Sequence, residues 1–186
     1  MKTRKLEMAE LGRKTVEEFK KAEKTPIVIV LDNIRSLHNV GSVFRTADAF
    51  LVQGLCLCGM TGRPPHRDIR KTALGATDTV AWQYFPSTVE AVRALKADGY
   101  AVWAVEQVEN SVSLSDFKPD RQKPLALVFG NEMHGVGEEV LQEVAGAIEI
   151  PQLGMKHSLN ISVSAGIVIW EVFDQMQATS EPARPA

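Results

Sequence analysis

The sequence predicts an α/β fold in which a mostly parallel sheet is flanked by helices. Runs of apolar, β-branched residues alternate along the chain with segments of helical periodicity, as in repeated strand–helix–strand units. Residues 27–31 and 125–129 contain no polar position, which is typical of strands buried on both faces of a parallel sheet. The 186 residues are 45% hydrophobic and 24% charged, so we expect one domain with its own core.

The N-terminal segment is predicted to be a basic amphipathic helix. Residues 4–24 place apolar and small side chains at helical spacing, with the lysines and arginines mostly off that stripe. Residues 1–24 hold eight Lys/Arg and five Asp/Glu, a net charge of +3 in a chain whose total charge is −2. We therefore assign residues 1–25 to an N-terminal basic helical extension.

The rest of the chain is predicted to alternate between strands and helices, with Gly and Pro marking a loop over residues 61–68. The strands are expected at residues 27–31, 55–60, 82–85, 100–105, 125–129 and 148–150. The helices are expected at residues 40–50, 68–74, 88–98, 136–145 and 159–176. Together these elements form one domain over residues 26–176. Residues 177–186, rich in Ser, Pro and Glu, are predicted to be a disordered tail.

The last predicted helix, residues 159–176, is apolar almost all round. A helix without a polar face has to be buried by more than one neighbour. A core on one side and a partner subunit on the other would bury it. This helix therefore suggests a contact with a partner subunit.

Several function classes lose support. Cys56 and Cys58 lie in an apolar run, which indicates buried thiols in a reducing compartment, and the four histidines show no metal-ligand spacing. We therefore expect no metal. The chain begins with a charged segment and has no apolar stretch long enough to cross a bilayer, so we expect no membrane association and a cytoplasmic location. The glycine-rich motifs of dinucleotide and triphosphate sites and the serine hydrolase elbow are missing.

Three segments place polar residues or glycine where a strand is predicted to end. These segments are residues 39–45, 129–135 and 150–162. Ligands of open α/β proteins bind at the carboxyl ends of the strands, so the three segments are expected to build one shared site.

Single residues in these segments also have ordinary structural interpretations. Asn39 and Ser158 could each cap a helix, and Glu132 could lie near a helix start where negative charge is favoured. Arg45 has apolar neighbours, so it is expected to be half-buried and to need an anionic partner, a phosphate or a carboxylate. Asn160 is a poor helix former and is expected to make a specific hydrogen bond.

Taken together, the three segments resemble the motifs of the SpoU/TrmH family of RNA ribose methyltransferases. The shared pattern is Asn39-x-Gly41-x-x-x-Arg45, then residues 129–135, then Ile150-Pro151 with residues 158–162. The resemblance implies the SPOUT fold with a C-terminal trefoil knot and S-adenosylmethionine as cofactor. It also implies a homodimer that methylates a ribose 2′-hydroxyl of tRNA or rRNA.

The resemblance also implies roles for individual residues. The catalytic set is Asn39, Arg45, Glu132, Ser158 and Asn160. The cofactor-binding set is Phe129, Gly130, Asn131, Gly135, Ile150, Pro151, Ser158 and Leu159. Charge indicates the RNA-binding set: Arg63, Arg67, Arg70 and Lys71. We expect Arg45 to bind a phosphate and stabilise the developing alkoxide, because a guanidinium is a poor base.

Other interpretations of the sequence stay open. One is a non-catalytic RNA-binding relative with the same fold, and another is methylation of a base instead of a ribose. A third is an unrelated nucleotide-binding protein of flavodoxin-like topology. The sequence does not name the RNA or the nucleotide; tRNA is favoured because residues 1–25 are too few to form a separate RNA-binding domain.

Overall fold

The computed structural model describes residues 3–155 and 158–177. Its strands are β1 (Thr25–Asp32), β2 (Val52–Cys58), β3 (Trp82–Phe85), β4 (Ala101–Val105), β5 (Val112–Ser113), β6 (Leu125–Phe129) and β7 (Gly146–Glu149). Its α-helices are α1 (Val16–Lys21), α2 (Leu37–Ala49), α3 (Arg67–Ala73), α4 (Ala76–Thr79), α5 (Thr88–Ala97), α6 (Glu138–Leu141) and α7 (Ile161–Gln177). A 3₁₀ turn at Met8–Leu11 precedes them.

The seven strands form one sheet in the order β3-β2-β1-β6-β4-β7-β5, and every neighbouring pair is parallel. The predicted α/β fold with a parallel sheet is therefore confirmed. Strands β1 and β6 lie side by side in the interior, with Ile27 opposite Leu125 and Leu31 opposite Phe129. Because the strands are parallel, the carboxyl ends of β1, β6, β4 and β7 meet at one edge of the sheet.

Helices cover both faces of the sheet. On one face Ile27, Ile29 and Leu31 of β1 pack in a core that includes residues of α2 and α7. On the other face Val28 and Val30 pack in a second core that includes residues of α5. The period of two along a strand explains this division, because successive side chains point to opposite faces.

The two cysteines lie on the α5 side of β2. Cys56 and Cys58 are both buried and are not joined by a disulfide, as the sequence predicted. Burial raises the pKa of Cys56 to about 11 and that of Cys58 to about 12. Both thiols are therefore protonated at neutral pH and are poor nucleophiles.

The prediction of one helix over residues 4–24 is wrong. Gly12 adopts φ 58° and ends the short 3₁₀ turn, and Thr15 then caps α1 by accepting a hydrogen bond from the backbone N–H of Glu18. Of the residues in α1 only Phe19 is buried, and Leu11 is exposed. The left-handed backbone at Gly12 interrupts the predicted helix, and Thr15 caps a new one. The apolar spacing over residues 4–24 therefore does not produce a single helix.

The prediction of a helix over residues 136–145 is also too long, because α6 spans four residues. Beyond α6 the backbone turns, and the N–H of Ala145 donates to the carbonyl of Val102, which starts β7 beside β4. Two short elements, α4 and β5, were not predicted. The predicted tail at residues 177–186 lies outside the described residues except for Gln177, which ends α7.

No helix within the described part of the chain combines the length and hydropathy that a membrane crossing requires.

Candidate active site

A cavity of about 450 Å³ opens at the carboxyl edge of the sheet, which we call the central cavity. Three separate segments form most of its wall: the turn after β6, the strand end and loop after β7, and the start of α7. The residues that line it are Val105, Glu106, Gln107, Phe129, Gly130, Asn131, Glu132, Met133, Gly135, Ile148, Glu149, Ile150, Gln152, Ser158, Leu159, Asn160, Ile161 and Ser164. Two of the three motif segments thus meet at one cavity.

Seven of the eight residues of the predicted cofactor-binding set line the central cavity. They are Phe129, Gly130, Asn131, Gly135, Ile150, Ser158 and Leu159. The eighth, Pro151, is exposed and lines an adjacent groove beside Gln152 and Leu153.

The remaining motif segment, residues 39–45, joins the cavity through a hydrogen-bonded series of three polar side chains. Asn39 Nδ2 donates to Glu132 Oε1 at 3.2 Å, and Asn160 Nδ2 donates to Asn39 Oδ1 at 3.2 Å. Asn39 therefore connects the turn after β6 to the start of α7, although it does not itself line the cavity. This series brings together three of the five predicted catalytic residues.

The carboxylate of Glu132 is held by backbone donors from the loop before α2. The N–H groups of Arg35 and Ser36 both lie 3.3 Å from its oxygens. Partial burial raises the pKa of Glu132, but the backbone N–H donors and the Asn39 amide outweigh burial, so the pKa is lowered. Glu132 is therefore ionised at neutral pH and acts as a hydrogen-bond acceptor.

The turn at residues 130–136 is compact, and glycine makes it possible. Asn131 and Gly135 exchange two backbone hydrogen bonds of 2.9 and 2.8 Å. A Cβ at Gly130 would overlap the backbone of Gly135 and Val136, so no larger residue fits there. The Gly130 backbone can therefore approach both the turn and the cavity closely.

The side chain of Asn131 belongs to the scaffold of this turn. Its Nδ2 donates to the carbonyl of Asn33 at 2.7 Å, and its Oδ1 accepts from the N–H of Met133 at 2.9 Å. Asn131 thus ties the turn after β6 to the end of β1, and only its surface facing the cavity is available to a ligand.

Helix α7 begins later than predicted, and its cap is Asn160. The Asn160 Oδ1 accepts hydrogen bonds from the backbone N–H of Ser162 at 2.9 Å and from Ser162 Oγ at 2.6 Å. Asn160 therefore makes the specific hydrogen bonds that the sequence suggested, but as a cap rather than within the helix. Ser158 does not cap α7; it is exposed at the cavity.

In α2 the structural alternative for Asn39 does not hold, and the prediction that Arg45 is half-buried is wrong. Asn39 does not cap the helix, because Ser36 does so by accepting a hydrogen bond from the N–H of Asn39 at 3.3 Å. Arg45 is exposed rather than half-buried and does not line the central cavity. It makes no hydrogen bond or ion pair with any residue of 3–155 or 158–177. It lies six residues after Asn39, about 9 Å further along the helix axis.

The four residues of the predicted RNA-binding set are all exposed: Arg63, Arg67, Arg70 and Lys71. Three of them, Arg67, Arg70 and Lys71, line a shallow groove with His66. Lys71 pairs with Asp68 at 2.8 Å.

Arg63 lies apart from that groove, with its guanidinium stacked over the Tyr84 ring at 4.1 Å from the ring centre. The cation–π contact with Tyr84 holds the Arg63 guanidinium in this position.

The basic helix α3 is fixed directly to α2. A Cβ at Gly41 would overlap Thr72 Oγ1 and the carbonyl of Ile69, so the two helices approach as closely as glycine allows. Thr72 Oγ1 also donates to the carbonyl of His38 at 2.9 Å. Helix α3 is therefore the element that approaches Gly41 closely. Its packing on α2 fixes the distance between the basic groove and Asn39.

Several residues of the site were not predicted. Glu106, Gln107, Glu149, Gln152 and Ser164 all line the central cavity. Glu106 is a polar residue directly after a predicted strand, the same signal that identified Glu132. The order of strands along the chain, however, does not show that β4 lies between β6 and β7 in the sheet. The sequence therefore could not place Glu106 at the cavity.

Within residues 3–155 and 158–177, no three His, Cys, Asp or Glu side chains are grouped so that they could hold a metal ion.

Comparison with known proteins places the chain in a family. The family model described as the SpoU rRNA Methylase family matches residues 26–170. The tRNA (guanosine(18)-2'-O)-methyltransferase of Thermus thermophilus is 36% identical over 166 residues, which cover 89% of this chain and 83% of that protein.

Solved structures agree with this match. The TrmH/SpoU tRNA modifying enzyme of A. aeolicus superposes with a TM-score of 0.77 at 28% identity, covering 90% of this chain and 85% of that one. The AdoMet-bound rRNA methyltransferase of Sinorhizobium meliloti superposes with a TM-score of 0.74 at 29% identity, covering 81% of this chain and 56% of that one. The chain therefore belongs to the SpoU rRNA methylase family.

Proposed function

We propose that this protein transfers a methyl group from S-adenosylmethionine to a ribose 2′-hydroxyl of tRNA. The observation that carries the proposal is the hydrogen-bonded chain Glu132–Asn39–Asn160 at the edge of a cavity large enough for a nucleoside. The Thermus relative is named for 2'-O methylation of a tRNA guanosine, which supports ribose over base and tRNA over rRNA.

The central cavity suits a cationic nucleoside. Three carboxylates line it, those of Glu106, Glu132 and Glu149, and no Lys or Arg does so among the described residues. S-adenosylmethionine carries a sulfonium, so the charges are complementary. The close-packed backbone at Gly130 and the strand ends at Phe129 and Ile150 can contact the adenine edge through N–H and C=O groups. When bound there, the cofactor supplies an electrophilic methyl group.

The protein side chains supply positioning. Glu132 is ionised and fixes Asn39, which in turn holds Asn160, so the two amides have one orientation relative to the cavity. Ser158 is exposed beside them and is available to the substrate ribose. Holding the hydroxyl in line with a methyl donor removes most of the entropic barrier of a two-substrate reaction.

We also propose that the protein is a homodimer, as the family resemblance implies. Helix α7 exposes a stripe of large apolar side chains on the side away from the sheet: Val163 is 49% exposed, Ile167 39% and Trp170 51%. A stripe at this spacing runs along one helix face and is unfavourable in water. We propose that a second copy of the chain covers it.

The dimer also gives Arg45 a role. Phe50, at the end of α2, packs on Trp170 with ring centres 5.6 Å apart, so the α2 surface continues the exposed stripe of α7. Because Arg45 lies away from the cavity of its own chain, we propose that it serves the cavity of the second copy. There it would bind a substrate phosphate.

The RNA is proposed to lie across α3. Arg67, Arg70 and Lys71 form one exposed basic groove, and α3 is packed against the helix that carries Asn39. Phosphates bound in this groove would place a nucleotide within reach of the central cavity. The basic extension at residues 1–25 would add further attraction to the RNA.

The trefoil knot and a cytoplasmic location also belong to the proposal. The turn after β6, the loop after β7 and the start of α7 meet at one cavity, as a knotted cofactor site requires. A tRNA substrate would place the protein in the cytoplasm.

The decisive test is methyl transfer from labelled S-adenosylmethionine to separated tRNA and rRNA from a strain that lacks this protein. We expect a labelled 2′-O-methylnucleoside in the tRNA pool. Label in a base would support base methylation, and label only in rRNA would change the substrate class. Cofactor binding without transfer to either pool would favour a missing partner or a precursor RNA, and no cofactor binding would favour the non-catalytic alternative.

A further inference from the structure

The carboxylate of Glu106 occupies a defined position in the wall of the central cavity. Glu106 directly follows β4 and is half-buried. Its Oε1 accepts a hydrogen bond from the backbone N–H of Gln107 at 2.9 Å, and its Oε2 accepts one from the N–H of Val136 at 2.9 Å. Two backbone donors thus fix the plane of this carboxylate.

Gly135 brings the turn after β6 against the same carboxylate. Its backbone adopts φ 66°, and a Cβ there would overlap Glu106 Oε2. The contact is therefore as close as glycine permits. A carboxylate has about four acceptor positions on its two oxygens, and the two backbone donors use two of them.

The remaining acceptor positions are available to donors of a ligand, because Glu106 lines the cavity. The other two carboxylates of the cavity are placed differently. Glu132 already accepts from Arg35, Ser36 and Asn39. Glu149 lies where the central cavity meets the adjacent groove.

A ribose supplies two neighbouring hydroxyl donors that match a fixed carboxylate. In dinucleotide-binding sheets an acidic residue at a strand end accepts hydrogen bonds from ribose hydroxyls in this way. We propose that Glu106 binds the ribose diol of the S-adenosyl cofactor. This assignment rests on the proposed function, because it requires a nucleoside in the central cavity.

The test measures the dissociation constant of S-adenosylhomocysteine and of its 2′-deoxy and 3′-deoxy analogues by calorimetry. Removing a hydroxyl that bonds a carboxylate should weaken binding to the unmodified protein about 10-fold or more. In Glu106→Gln the parent compound should bind more weakly, and the further loss caused by removing a hydroxyl should fall to about twofold.

Equal losses in both proteins would overturn the assignment, because Glu106 would then act on the turn alone. The same holds if the deoxy analogues bind the unmodified protein as tightly as the parent does, a comparison that needs no folded variant. Glu109→Gln, a change to an exposed carboxylate of the adjacent groove, is the matched control and should leave all three constants unchanged. Failure of S-adenosylhomocysteine itself to bind the unmodified protein would overturn the proposed function as well.

Discussion

Asn39 and Glu132 are 93 positions apart in the chain, and their side chains are hydrogen-bonded at 3.2 Å. The bond joins the first motif to the second and is extended to the third by Asn160. Each of these residues has an ordinary structural explanation when taken singly. Their contact is what turns three strand exits into one site.

Replacing Glu132 with Gln should slow methyl transfer about 100-fold while leaving the fold intact. The amide cannot accept from all the donors at once, so Asn39 loses its fixed orientation. Single-turnover rates with tRNA would measure the effect, and calorimetry with S-adenosylhomocysteine should show a much smaller change in affinity. Glu139→Gln, on the exposed surface of α6, is the control. An unaltered rate in Glu132→Gln would show that the hydrogen-bonded series Glu132–Asn39–Asn160 does not contribute to catalysis.

The stability contribution of Glu132 should depend on pH in a specific direction. Its pKa is lower in the folded protein than in the unfolded chain. The ionised form therefore stabilises the fold above the unfolded pKa, and this contribution disappears as the pH falls through the folded pKa. The urea midpoint of the unmodified protein should exceed that of Glu132→Gln at neutral pH, and the difference should shrink as the pH falls through the pKa of the folded Glu132. A difference that is constant with pH would contradict the lowered pKa.

Arg45→Ala should abolish turnover without loss of cofactor affinity. A heterodimer of one Arg45→Ala subunit and one Glu132→Gln subunit distinguishes where Arg45 acts. If it serves the partner's cavity, one of the two sites has both residues intact, and about half of the unmodified activity should remain. If it serves its own cavity, both sites are defective and the heterodimer should keep only the residual activity of Glu132→Gln. Co-expression with two different tags would supply the heterodimer.

Neutralising Arg67, Arg70 and Lys71 together, each to Gln, should weaken tRNA binding and flatten its salt dependence. If each contacts one phosphate, the slope of log K against log salt should fall by about 2 to 3. Filter binding at several salt concentrations measures that slope. The control replaces Arg93 and Lys96 of α5 with Gln. These basic residues pair with Glu143 and lie outside the proposed RNA surface. An unchanged slope in the triple variant would remove α3 from the RNA surface.

Gly130→Ala should destabilise the protein by about 2 kcal/mol or more, because the new methyl group meets backbone atoms that cannot move aside singly. Cofactor binding should be lost with it. Gly154→Ala is the control, since a Cβ at that position meets nothing within 4 Å. Thermal unfolding of both variants measures the difference, and similar midpoints would show that the turn after β6 can relax.

The sequence correctly placed residues at the cavity where they lie at the end of a strand of the sheet. Phe129, Gly130 and Ile150 lie at or just after the ends of buried strands, and parallel strands bring their carboxyl ends to one edge. It was misleading for α2, where the buried face passes through Val43 and Phe44. One further residue rotates the side chain by about 100°, which is enough to place Arg45 in solvent.

Glu106 shows the other reason why part of the site was missed. Its position after a strand was visible in the sequence, but its contact with Val136 depends on the order of strands across the sheet. That order departs from the chain order at β6, which inserts between β1 and β4. Local patterns identify strands and their ends, whereas such an insertion is decided by the packing of the whole domain.

The insertion of β6 also has a consequence for synthesis of the chain. Strand β1 leaves the ribosome shortly before its neighbour β2, but its other edge pairs with β6, about 100 residues later. At roughly 5–20 residues per second, that apolar edge stays unpaired for about 5–20 s. An open, buried-type strand edge is a template for association with other chains. Newly made copies should therefore be most vulnerable to aggregation, and most dependent on chaperones, in the interval before residues 125–129 are translated.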